Sequence, residues 1–193
     1  SQFSAEAACA EGIAAAKNAL GIKPAPRVLD LCTGSGAIAA AVAANMPKAD
    51  IVATELSVGA FMLARVNLRP YSNVKIYRGD LFDALPEGEP SFDAILTNPP
   101  YIPSGCIPGL QREVRDHEPL IALDGGEDGL DIVRRIIKEA PRHLKSRGLL
   151  LMETGDDQGR EVLSLAADSG RYRSAKILKD LAGKDRILMA ETT

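Results

Sequence analysis

The strongest constraint on the fold is a repeated alternation. The runs RVLDL (27–31), DIVATEL (50–56), NVKIY (73–77), FDAILT (92–97) and GLLLMET (148–154) carry apolar residues at odd and even positions alike. A strand with one wet face would alternate, so the pattern describes strands covered on both faces. Helical segments lie between and after them: AIAAAVAANM (37–46), VGAFMLARVNLR (58–69), GLDIVRRIIKEAPRHL (129–144) and QGREVLSLAADS (158–169). Such an order predicts a parallel sheet with helices on both sides. Two closing strands, 172–179 and 185–190, flank the short connection DLAGKD and predict one antiparallel strand. The expectation is an α/β, Rossmann-like, mostly parallel seven-stranded sheet. An alanine-rich segment, 4–20, reads as a helix closed by Gly21 ahead of the first strand. A length of 193 residues suits one domain, with 1–24 as a helical lead-in.

Ligands in open α/β sheets sit beyond the carboxyl ends of the strands, which directs attention to four places. The first is LDLCTGSGAIA (29–39). Gly34 and Gly36 let the backbone approach a ligand closely, and the helix after them offers unpaired N–H groups. Cys32, Thr33 and Ser35 complete this loop. A glycine turn that only tightens a strand–helix connection explains the stretch equally well. Asp30, inside the first strand, reads as a buried acid that hydrogen-bonds the loop. The second place is Glu55, about twenty residues on, where a carboxylate suits both hydroxyls of a ribose. An ordinary solvated strand-end glutamate is the plainer reading. Loop and acid together favour a nucleoside-containing cofactor without separating a nicotinamide dinucleotide from S-adenosylmethionine.

The third place, GDLF (79–82), bears on that choice. Asp80 suits an adenine amino group, and Leu81 and Phe82 offer apolar surface to a ring. Gly36 is followed by Ala37, Ile38 and Ala39, so the Gly-x-Gly-x-x-Gly pattern of dehydrogenases is missing. The fourth place is Asn98-Pro99-Pro100-Tyr101. Prolines lack an N–H and stop a strand. A strand-ending turn, however, leaves the asparagine and tyrosine to chance. The Asn98 side-chain carbonyl and the Pro99 backbone carbonyl are two acceptors side by side, matched to the two hydrogens of a planar NH2 group. Holding both bonds favours a pyramidal nitrogen with its lone pair exposed, and Tyr101 can lie against the flat amide or base.

Several other chemistries fit poorly. A formal net charge of −3 gives no overall footprint for nucleic acid. Three scattered cysteines and two histidines, with no Cys-x-x-Cys, suggest neither a disulfide framework nor a metal centre. No apolar run approaches the length of a membrane span, and no secretory signal is visible, so a cytoplasmic location is expected. A monomer is the accompanying expectation.

Taken together, LDLCTGSGAIA, NPPYIP, HEPLIALDGGEDGLDIVRRII, GLLLMETGDDQG and KDLAGKDRIL resemble the release-factor glutamine methyltransferases. These are class I methyltransferases that use S-adenosylmethionine and yield S-adenosylhomocysteine. The resemblance runs from about Val28 to Ile187. It implies that Asp30, the loop Cys32, Thr33, Gly34, Ser35 and Gly36, and Glu55, Asp80, Leu81 and Asn98 face the cofactor. It also implies that Asn98, Pro99, Pro100, Tyr101 and Glu118 face the substrate, a glutamine in the Gly-Gly-Gln loop of a peptide-chain release factor. The HEP segment with Glu118 and Pro119 would then sit beside the site as a lid, or as an ordinary surface loop. The family usually carries an N-terminal helical domain, for which the residues ahead of the first strand are expected to leave room for one helix only, and Glu55 stands where an aspartate is more usual. A ribosomal-protein glutamine methyltransferase is the runner-up, and an adenine-N6 methyltransferase follows. A nicotinamide-dependent oxidoreductase would leave 98–101 unexplained. A non-catalytic S-adenosylmethionine-binding protein is the blandest reading.

Overall fold

The structure, a computed structural model, describes residues 14, 15, 18, 23–111, 119–180 and 182–193. Residues 14, 15 and 18 are helical; the rest of the expected 4–20 helix, and the expected site residue Glu118, lie outside the described residues. The chain then runs β1 (Arg27–Leu31), α1 (Ala37–Asn45), β2 (Asp50–Glu55), α2 (Val58–Asn67), β3 (Val74–Arg78) and β4 (Phe92–Thr97). It continues through α3 (Leu120–Leu123), α4 (Asp131–His143), β5 (Leu144–Glu153), α5 (Gly159–Asp168), β6 (Tyr172–Lys179) and β7 (Asp185–Thr192). Two 3-10 turns cover Leu81–Ala84 and Ser104–Gly109.

The seven strands form one sheet in the order β3-β2-β1-β4-β5-β7-β6. Neighbours from β3 through β5 are parallel, and β7 is antiparallel to both of its neighbours. The single antiparallel strand is thus inserted between β5 and β6 rather than left at the edge. The strand order reverses between β1 and β4, so these two strands bound the crevice in which open sheets hold ligands. Leu31 pairs with both Thr54 and Thr97, and Glu55 pairs with Arg78, which brings the strand ends level along one rim.

Coverage of both faces is visible residue by residue. Leu29, Leu31, Val52, Ile95, Leu150 and Met152 point into one core with Val133, Ile136 and Val162 of α4 and α5. Their neighbours Val28, Ile51, Ala53, Ala94, Leu96, Leu149 and Leu151 point into the other, with Ala39, Val42 and Ala64 of α1 and α2. Burial of this kind contributes roughly 25 cal/mol per Å² of apolar surface removed from water, which makes a slip of one residue in any central strand costly.

Two regions depart from the sequence expectation for identifiable reasons. β5 starts at Leu144 rather than 148, because Leu144 pairs with Phe92 before a register shift resumes the ladder at Ala94 and Leu149. Arg147 takes φ 59° in the intervening bulge. Thr192 holds that bulge: its Oγ1 accepts from the Gly148 N–H at 3.0 Å and donates to the Lys145 carbonyl at 2.9 Å. The long stretch 98–128 is partly structured. Ile102 pairs in parallel with Asp124, its N–H donating to the Leu123 carbonyl at 3.0 Å.

Candidate active site

The loop after β1 is organised by Asp30. The N-cap of α1, Gly36, has φ 88° and no side chain to cap the helix. Asp30 supplies the cap from inside the strand: its Oδ2 accepts from the Ala39 N–H at 2.9 Å and from the Thr33 hydroxyl at 2.5 Å. Asp30 is fully buried, and burial pushes its carboxyl up to about 7, with the nearby Glu55 charge adding to the rise. Gly36 also makes room: a Cβ there would lie 3.0 Å from Leu68 of the segment after α2. Cys32, at φ 60°, turns the chain out of β1. Burial pushes its thiol up to about 12, so it is no thiolate nucleophile.

Glu55, at the end of β2, ties two backbones together. One carboxylate oxygen accepts from the Gly34 N–H at 2.9 Å and the other from the Ser57 N–H at 2.8 Å. Each oxygen keeps a second lone pair, so the acid is held in place and still able to accept. Asp80, after β3, pairs with Arg135 of α4 at 2.8 Å, both side chains being about two-fifths exposed. Leu81 takes φ 45° and is buried with Phe82. Phe82 stacks on His143 with centroids 4.5 Å apart, so its ring is engaged by the end of α4 rather than left open to a ligand.

At the end of β4, Asn98 is exposed while Pro99 is buried and Pro100 and Tyr101 are half-buried. Neither the Asn98 side chain nor the Pro99 carbonyl has a hydrogen-bond partner among the described residues. Tyr101, by contrast, is held at both ends. Its hydroxyl donates to Glu153 at 3.2 Å, and its carbonyl accepts from the Gln158 amide at 2.9 Å. Gln158 is itself fixed by the Gly155 N–H at 2.9 Å. Gly129, at φ +77°, lies against the same carbonyl, and a Cβ there would come within 2.3 Å of it. Burial pushes Glu153 up to about 7, against the Tyr101 hydrogen bond and the Arg186 charge.

Buried polar atoms nearly always find partners, so the exceptions are informative. Among the described residues they are Asp30 Oδ1, Thr54 Oγ1, Thr97 Oγ1, Thr154 Oγ1 and Arg186 Nε. Every one lies on the rim made by the carboxyl ends of β1, β2, β4 and β5 and the start of β7. The polar lining at this edge of the sheet therefore suits a polar ligand. The expected residues Asp30, Cys32 to Gly36, Glu55, Asp80, Leu81 and Asn98 to Tyr101 all follow or end strands at this rim. Glu153, Gln158, Gly129 and Arg135 join them without having been expected. The signal for the first three was the pair of motifs METGDDQG and GGEDGLD, whose partner at 98–101 is fixed only by the tertiary fold, and Arg135 on α4 meets Asp80 in the same way. No metal-ligating cluster occurs among the described residues, and none of their helices is long and apolar enough to cross a membrane.

Residues 13–105 match the methyltransferase small domain family. The chain is 49% identical to a release factor glutamine methyltransferase of Gloeobacter violaceus over 166 residues, 84% of this chain and 57% of that protein. A protein of the same name from Thermosynechococcus vestitus is 44% identical over 85% of the chain and 57% of its own length. The chain thus spans less than two thirds of these relatives. A methyltransferase crystal structure from Pyrococcus furiosus superposes with a TM-score of 0.64 at 20% identity, covering 93% of this chain and 82% of that one. The sheet order and this superposition establish the fold as that of the class I methyltransferases.

Proposed function

We propose that this chain, a relative of the release factor glutamine methyltransferases over most of its length, methylates the side-chain nitrogen of a protein glutamine. The acceptor is the glutamine of the Gly-Gly-Gln loop of a peptide-chain release factor. The observation that carries the reading is the pair of consecutive acceptors at the end of β4, Asn98 Oδ1 and the Pro99 carbonyl, neither with a hydrogen-bond partner among the described residues, beside the point where the strand order reverses.

Class I methyltransferases in general use S-adenosylmethionine, which supplies an electrophilic methyl group. The rim fits such a molecule in its donors and acceptors. Glu55, clamped by two backbone N–H groups, would accept from the ribose hydroxyls. Asp80 would accept from the adenine amino group, and the Cys32–Gly36 loop would pass under the amino-acid portion with the orphaned Asp30 oxygen beneath it. Asn98 and Pro99 would take one hydrogen each of the glutamine NH2, fixing the nitrogen and reducing delocalisation of its lone pair. Half-buried Tyr101 would wall the amide. No general base is needed, because an N-methylated amide cation is acidic enough to lose its proton to water. That suits the described residues: His143 is stacked on Phe82, and Asp30 and Glu153 are buried.

Incubating the protein with S-adenosylmethionine and a purified release factor, then locating the added methyl by mass spectrometry, tests the proposal. A methyl on the Gly-Gly-Gln glutamine supports it. Methylation of ribosomal proteins or an oligonucleotide, with none on the release factor, would overturn the substrate assignment.

A further inference from the structure

The acceptor pair at 98–99 raises a question of rigidity. Neither acceptor has a hydrogen-bond partner among the described residues, yet orientation only helps catalysis if the acceptors stay put. Upstream they are held by β4, whose last residue, Thr97, pairs with Met152 of β5. Downstream the first fixed residue is Tyr101. Glu153 is the residue after Met152, so it stands level with Asn98 one strand away. It is 7% exposed, and the hydrogen bond from the Tyr101 hydroxyl at 3.2 Å is the one its carboxylate makes among the described residues.

A buried carboxylate with one hydrogen bond is a poor way to fill a core, since an apolar side chain of like size would serve stability better. Arg186, on β7 beside Glu153, balances its charge, yet its buried Nε has no partner among the described residues and its Nη2 reaches Asp180 at 3.3 Å. Tyr101 is therefore sunk into a polar socket behind the site, while Gln158 and Gly129 fix its carbonyl.

We infer that Glu153 is a positioning residue for methyl transfer, seating the Tyr101 hydroxyl so that the Asn98 and Pro99 acceptors face the reacting nitrogen. The inference rests on the reading of 98–101 given above. It assigns METGDDQG, otherwise unused by the reaction, the task of holding the motif from behind. Glu153 contributes the socket and Gln158 the clasp on the main chain.

Four variants test it: Glu153→Ala, Glu153→Gln, Tyr101→Phe and the double Tyr101→Phe/Glu153→Ala. Each is measured for cofactor affinity by calorimetry, for single-turnover methyl transfer to the release factor, and for amide exchange at Tyr101 and Ile102. Glu153→Ala and Tyr101→Phe should each slow transfer by about 10- to 100-fold, the scale of a small misplacement of reacting groups, and both should speed exchange. Cofactor affinity should stay within about threefold, because that side of the site is not touched. Glu153→Gln keeps an acceptor oxygen and should restore most of the rate. The double variant should be no slower than the slower single, since one interaction is lost once. Additive losses, an unchanged rate in Glu153→Ala, or unchanged exchange would overturn the inference. A merely structural role would lower cofactor affinity and transfer together, with no rescue by glutamine. If Glu153→Ala does not fold, Tyr101→Phe and Glu153→Gln carry the same comparison. If the unaltered protein transfers no methyl to the release factor, the functional reading fails, and the exchange data alone decide whether Glu153 holds the 98–101 turn.

Discussion

Replacing Asn98 by alanine separates what this residue does for the fold from what it does for the reaction. Its side chain is exposed and makes no hydrogen bond to any described residue, so its removal breaks none of the hydrogen bonds among them. Stability should change by no more than about 0.5 kcal/mol, a shift of about 1–2 °C in melting temperature for a chain of this size. Turnover should behave differently. In the transition state the nitrogen gains positive charge, and a hydrogen bond from its N–H to Asn98 then resembles one involving an ion, worth about 1.5–3 kcal/mol. With a tenfold change in rate for roughly 1.4 kcal/mol, the single-turnover rate should fall by about 10- to 150-fold. Cofactor affinity should fall much less, because Glu55, Asp80 and the loop after β1 are untouched. The assay is methyl transfer to the release factor under saturating cofactor, beside calorimetry and a thermal melt on the same preparation. A rate loss below about threefold would show that the side-chain carbonyl does not hold the nitrogen. A melting temperature lowered by more than about 5 °C would show that Asn98 has a structural partner, and the separation of roles would be wrong.

Three further outcomes follow from buried groups. Burial holds Asp30 at about 7, above its unfolded value near 3.9, so the native state keeps a proton that the unfolded chain loses. The stability from that group is complete below pH of about 4 and is lost as pH rises toward 7, so Asp30→Asn should gain on the unaltered protein across that interval in pH-dependent melts. Asp93, at the opposite edge of the sheet, behaves inversely. Burial alone would raise it, but hydrogen bonds from Lys145, Lys23 and the Arg27 N–H lower it to about 2. Its contribution, about 2 kcal/mol, is present above pH of about 4 and lost as pH falls through 2, so Asp93→Asn should weaken the fold at neutral pH without altering transfer kinetics. Gly129→Ala should cost more than about 2 kcal/mol, since it combines a left-handed backbone with a collision against the Tyr101 carbonyl. Gly88→Ala, at φ +76° with open space around it, measures the backbone part alone, and equal losses in the two variants would remove the claim that Gly129 supports 98–101.

What could be read in the sequence follows the range of the interactions involved. The strands were legible because burial on both faces writes itself into five or six consecutive residues, as in Phe92–Thr97. The two acceptors at 98 and 99 could be named from sequence because their chemistry is carried by two adjacent residues, a side-chain carbonyl and a proline carbonyl. The start of β5 was not, because the bulge at 145–147 is held by Thr192, at the far end of the chain. The clasp of Glu55 on Gly34 and Ser57, the Asp80–Arg135 pair and the socket around Tyr101 depend on strand adjacency, which no local window contains. Phe82 shows the same limit from the other side: beside Asp80 it suggested a surface for a ring, and the structure gives it His143 instead.

The two edges of the sheet make the functional assignment more than a matter of motif. Asp93 lies at the amino edge, with its side chain 3% exposed, and every demand of its carboxylate is met by two lysines and a backbone N–H. A sheet that pairs a buried charge so fully at one edge has the means to do so at the other. At the carboxyl edge it does not: Asp30, Thr54, Thr97, Thr154 and Arg186 each leave a buried polar atom without a partner among the described residues. Such groups cost about 1–3 kcal/mol each when left unmet, so five on one rim is a cost that stability alone would remove. The asymmetry marks the carboxyl edge as the side built to receive polar atoms from outside the chain. Asn98 and Pro99, whose acceptors have no partner among the described residues, follow β4, one of the two strands between which the order of the sheet reverses.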